Sequence, residues 1–143
     1  MLESLSAQVR GRLLRADLIE TFQATIVHCF SQTIENLFGR PVKEQLMRTL
    51  GEHKIPRSEI GARFDDVAKV LADVFGASSR LLIFKTVVEL YEEYSVRATF
   101  GFYDSLRDQI MFLRERVLAD IIKPKHSPGI DDSIYITARR PIE

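Results

Sequence analysis

Cysteine is nearly absent: one stands among 143 residues. A single thiol closes no internal disulfide and anchors no cysteine-rich zinc site. A charge imbalance is missing too, since Lys plus Arg total 20 and Asp plus Glu total 20. Chains that coat DNA or an anionic membrane surface usually carry a strong basic excess, and this one has none. No apolar run approaches the ~18 residues that a membrane span needs. The opening stretch MLESLSAQVRGRLLRAD has acidic Glu3 and no apolar core segment, so it does not read as a secretory signal. The expectation is a soluble, cytoplasmic protein without a membrane partner. Also missing are a P-loop, a G-x-S-x-G elbow and a G-x-G-x-x-G turn, so phosphate cradles and nucleophile elbows lack support. There is no internal repeat and no low-complexity segment.

What is present is globular. Apolar residues make up 45% and charged residues 28%, which argues against wholesale disorder. The length suits one domain, which buries roughly two-thirds of its unfolded surface.

Helical periodicity dominates as far as Lys123. Leu2, Leu5, Val9, Leu13 and Ala16 step by three or four and share one helical face, with Arg10, Arg12 and Arg15 on the polar side. A second stripe follows in Leu18, Phe22, Ile26, Phe30, Ile34 and Leu37. Asp17 either caps this second helix or continues the first. Gly39 and Pro41 mark a stop and a restart. The next helix runs from about Pro41 to Gly51 with Val42, Leu46, Met47 and Leu50 inward. Residues 53–61 read as a connection. A helix over about 64–75 presents Phe64, Val67, Val70, Leu71, Val74 and Phe75, and Gly76 breaks it. Ser78 or Ser79 then caps a helix that is apolar nearly all round and therefore central. Its end is acidic, with Glu89, Glu92 and Glu93. After a break at 97–101, Tyr103, Leu106, Ile110, Leu113 and Val117 form a heptad-like seam of about two and a half repeats.

The fold class expected is all-α, a compact bundle of five or six helices over residues 1–123. The C-terminal amphipathic helix covers about 102–122. Residues 124–143 read as a linker and tail, in which Ser133 to Thr137 alternates like a short strand. A lone strand has unpaired backbone groups, so it orders only against another edge or its own copy.

Each candidate for chemistry has a plainer explanation. His28-Cys29 suggests a nucleophile, but adjacent helical side chains diverge by about 100°. Cys29 reads as a small buried hydrophobe. His28, His53 and His126 lack metal-ligand spacing. Asp65-Asp66 opens a helix, where carboxylates offset the positive end of the dipole. No catalytic residue, metal ligand or cofactor is assigned, and the chain reads as a non-enzyme. Leu71 to Ser78 is similar to a helix-turn-helix pattern, with Ala72 four positions before Gly76. The would-be reading helix shows only Ser78, Ser79, Arg80 and Lys85 as polar residues, too dry a face to read a groove. A DNA-binding regulator is the alternative, and nucleic acid is the less favoured partner.

Residues from about 22 to 96 show a further pattern: Val42-x3-Leu46 with Leu50, then Ile55-Pro56-x-Ser58-Glu59-Ile60. Phe64-x5-Val70 and Val74-Phe75-Gly76-Ala77 follow, and then an apolar helix ending in Leu90-Tyr91. This stretch resembles a small archaeal signal-transduction output domain of the NitrOD type. The resemblance covers about half of the chain and implies an all-helical, non-enzymatic regulatory module with no catalytic residues to carry over. The departures are the long first helix, the helix after Arg97 and the tail.

The expected function is a regulatory or signalling module that binds a protein partner or a second copy of itself. Tyr103, Leu106, Ile110, Leu113 and Val117 are the candidate interface. The same stripe could instead pack against Leu2, Leu5, Val9 and Leu13 within one chain, and the sequence leaves both arrangements open.

Overall fold

A computed structural model describes residues 2–126, with side chains from Gly11 onward. The described chain is all-α. Five α-helices, α1 (Leu2–Phe38), α2 (Arg40–Glu52), α3 (Phe64–Phe75), α4 (Ser79–Glu93) and α5 (Leu106–Asp120), follow one another with two short 3-10 turns at Arg57–Glu59 and Gly76–Ser78. No strand occurs among the described residues. The strand-like alternation at 133–137 lies outside them.

Asp17 continues the first helix, and α1 runs unbroken for 37 residues, about 55 Å at 1.5 Å per residue. Its second stripe is the spine of the bundle: Leu18, Phe22, Ile26, Phe30 and Ile34 are all buried. The spine packs against α4, α2 and α5. Gly39 ends α1 at φ 90°, a conformation open to glycine at little cost. Pro41 sits in the first turn of α2, where its missing N–H costs nothing. Lys43 Nζ donates to Glu35 Oε2 at 2.7 Å across this turn. That bond, with the Lys43 charge behind it, holds the Glu35 carboxyl below the usual carboxylate range.

α2 buries Leu46 and Leu50. Lys54 takes a left-handed φ of 63° and lets the Ile55 N–H reach back to the Leu50 carbonyl at 2.9 Å. Ile55 and Ile60 then enter the core from the connection. Gly61 lets this connection cross α1 at close range. A Cβ built there would meet the Gln23 carbonyl oxygen at 2.3 Å.

α3 buries Phe64, Val67, Val70 and Leu71, and Phe64 stands edge-on to Phe30 with centroids 5.5 Å apart. Gly76 stops it at φ 60°. α4 contacts α1, α3 and α5 and buries Leu82, Thr86, Val87, Leu90 and Tyr91. It is less enclosed than its composition suggests, because Leu81 stays 42% exposed. Ser105 caps α5 by accepting from the Asp108 N–H at 3.3 Å, and Ile121 ends it in the left-handed region. The chain then returns to α4: Pro124 is buried, and the Lys125 N–H donates to the Glu93 carbonyl at 2.7 Å. The first residues of the expected linker are thus docked on the bundle.

Candidate interaction surfaces

The seam on α5 is turned inward. Leu113 and Val117 are fully buried, Leu106 is nearly so, and Ile110 packs against the core. Tyr103 lies before the helix and is 88% exposed. The expectation of a free interface along Tyr103, Leu106, Ile110, Leu113 and Val117 is therefore corrected. The physical reason is that α1 and α4 both reach α5 and cover its apolar stripe within the chain. The side of α5 left open carries Met111 and Phe112, at 48% and 59% exposure.

Tyr103 belongs to a different arrangement. Arg80 Nε donates to the Phe102 carbonyl at 2.7 Å and its Nη2 to the Asp104 carbonyl at 2.8 Å. The same guanidinium lies 5.4 Å from the Phe102 ring centroid and 5.8 Å from that of Tyr103. One planar cation thus ties the loop after α4 to the start of α4. No sequence signal pointed to this, because the partners lie 22 and 24 residues away. Tyr91 adds a second tie, its hydroxyl donating to the Gln109 carbonyl at 2.7 Å. Burial pushes the Tyr91 phenol above its ordinary pKa.

The residues singled out for chemistry are dispersed. Cys29 is buried in the core. Burial, and then the negative charge of Glu93, Glu89 and Glu92, push its thiol up to about 12. A thiol held protonated is a poor nucleophile. Asp65 and Asp66 pair with different arginines, Arg107 at 3.2 Å and Arg63 at 3.1 Å. No group of three or more His, Cys, Asp or Glu side chains suited to a metal ion occurs among the described residues. His126 and His28 do come together, rings 6.1 Å apart, and Glu93 receives His126 at both its backbone N–H (2.9 Å) and its ring Nδ1 (2.7 Å).

The helix-turn-helix pattern maps onto α3, the Gly76 turn and α4. Ser79 is buried and Arg80 is engaged within the chain, so two of the four polar residues on the would-be reading helix are occupied.

Other described residues are open as well. On α1, every described residue before Leu18, from Gly11 to Asp17, is exposed. Leu13 and Leu14 stand there at 60% and 44% exposure. Between α1 and α4 runs a groove of about 430 Å³. Among the described residues, no helix is long and apolar enough to cross a membrane.

No protein-family model, curated protein or solved structure matches this chain. Its surfaces are the guide to what it does.

Proposed function

We propose that this chain is a non-enzymatic regulatory or signalling module that binds a protein partner through the N-terminal part of α1, with a second copy of the chain as the favoured partner. The observation that carries this reading is the exposure of Leu13 and Leu14 on α1, where each described residue from Gly11 to Asp17 is exposed. An amphipathic helix draws most of its stability from packing its apolar face. Here Leu13 and Leu14, in the described stretch Gly11 to Asp17, are left uncovered within the chain. Helices of this kind pair with each other or with a groove on a partner. A two-fold dimer is the commonest closed product. The resemblance of residues 22–96 to an output domain of the NitrOD type agrees with a regulatory role. The occupied Arg80 and buried Ser79 count against the DNA-reading alternative.

The test is sedimentation velocity on the full chain, wild type against Leu13→Asp. The wild type is expected to self-associate at high micromolar concentration. The variant is expected to sediment as a monomer with its helical circular dichroism intact, since position 13 touches no core. A wild type that is monomeric throughout and loses no bound protein on Leu13→Asp overturns the reading. Steeply salt-dependent retention on duplex DNA would replace it with the nucleic-acid alternative.

A further inference from the structure

Two hollows lie where the start of α3 meets α5, one of about 260 Å³ and one of about 330 Å³. They share Phe64, Asp65, Arg107 and Ile110 as walls. Arg107 Nε lies 3.2 Å from Asp65 Oδ2, so an ion pair crosses from α5 to α3 at the common wall. The first hollow has an apolar floor. Phe22, Ile26 and Phe64 line it and are buried, and Met111 lines it at 48% exposure. Together the two hollows reach the size of a small-ligand site.

The charges around them are unequal. Arg107, Arg114 and Arg80 line the hollows, and the carboxylate that lines them is Asp65. Arg80 is held by the carbonyls of Phe102 and Asp104, neutral acceptors that leave its charge in place. The neighbouring acids are turned to other partners. Asp66 pairs with Arg63, and Asp104 accepts from the Gly101 N–H. Asp108 follows Arg107 on α5, about 100° round the helix, and lines neither hollow. Glu115 lies 3.4 Å from Arg114 but is 63% exposed. The hollows therefore carry a local positive excess in a chain whose formal charge is zero.

Arg107 and Arg114 stand seven residues apart, two turns along one face of α5 and about 10 Å along its axis. Met111 lies between them. The side chains of Arg107 and Asp65 are 73% and 59% exposed, and an ion pair that open to water is weak. Its carboxylate can be exchanged for another, because a guanidinium presents paired N–H donors to any carboxylate. A cationic ligand would meet like charges here, and a neutral one would leave the guanidinium rim unused.

We propose that the hollow between α3 and α5 binds a small apolar carboxylate. The apolar body lies on Phe22, Ile26 and Phe64. The carboxylate takes Arg107 from Asp65, with Arg114 as the second guanidinium. Binding thus exchanges a link between two helices for a link to the ligand. This site goes beyond the partner surface proposed on α1.

The test is titration of the full chain with octanoate, octanol and octylamine, followed by amide chemical shifts. Octanoate is expected to shift Gly61, Ile110 and Arg114 saturably, and more tightly than either control. Arg107→Gln should weaken octanoate at least about tenfold. Asp65→Asn removes the competing carboxylate and should tighten it by about twofold to fivefold. Both positions are exposed, and circular dichroism checks that the variants stay folded. If Arg107→Gln fails to fold, the sign of the Asp65→Asn effect still decides. Octanol or octylamine binding as tightly as octanoate overturns the proposal. So does an absence of saturable shifts, an unchanged affinity in folded Arg107→Gln, or weaker binding in Asp65→Asn. None of these readouts depends on Leu13.

Discussion

The Cβ position of Gly61 lies 2.3 Å from the backbone carbonyl oxygen of Gln23, with the Gln23 carbonyl carbon and Cα also within 3 Å. The neighbour is backbone in the middle of the longest helix, so it cannot rotate away. Gly61→Ala must push the 53–63 connection off α1, and a loss of about 3 kcal/mol or more is expected. Gly51, within α2, has open space around it, and Gly51→Ala should gain about 0.5 kcal/mol through helix propensity. Urea melts of the two variants check the opposite signs. A Gly61→Ala chain as stable as the wild type would refute the close crossing.

Leu81 and Leu82 are adjacent on α4, yet one is 42% exposed and the other 1%. Leu82→Ala empties a packed site and should cost about 2–5 kcal/mol. Leu81→Ala should change stability by about 0.5 kcal/mol or less. Equal costs in denaturant melts would mean that α4 is rotated from the position described.

Arg80 holds two carbonyls of the 102–104 segment with one guanidinium and lies against the Phe102 ring. Lys has no planar fork and cannot serve both carbonyls from one position. Arg80→Lys should therefore cost about 1–2 kcal/mol despite the retained charge. Amide exchange should speed up at Tyr103 and Asp104 while the core of α1 stays protected. Unchanged exchange in the loop would show that Arg80 does not hold it.

Cys29 supplies a pH dependence whose sign is set by its burial. An unfolded thiol titrates near its ordinary value of 9.0, and the folded one at about 12. Between these values the folded chain keeps the proton and the unfolded chain releases it. The contribution of Cys29 to stability is full below pH 9 and falls as the pH climbs toward 12. Two measurements check this. Native protein at pH 8 should react with a thiol reagent only as fast as it opens. Cys29→Ala should flatten the decline of stability above pH 9. Rapid native labelling would place the thiol at the surface.

The sequence by itself determined the helices and their inward faces. Periods of three and four placed Phe22, Ile26, Phe30 and Ile34 on one stripe, and Gly39, Pro41 and Gly76 marked the breaks where α1 and α3 end and α2 begins. These signals are local: a helix repeats its geometry within a turn, and glycine and proline act on their own backbone angles. The continuity of α1 through Asp17 was not legible, because a carboxylate there suits a cap and an exposed helical position equally well. The partner of each stripe was not legible either. The run Leu106, Leu113 and Val117 looks the same whether it faces a second chain or α1 and α4, since burial depends on what arrives from distant sequence. Only the tertiary structure decided that this stripe is internal and that the Leu13 region is open. It alone joined Arg80 to the 102–104 segment and His126 to Glu93, pairs separated by 22 or more residues. Contacts of that range follow from how the helices cross, and spacing along the chain carries no record of it.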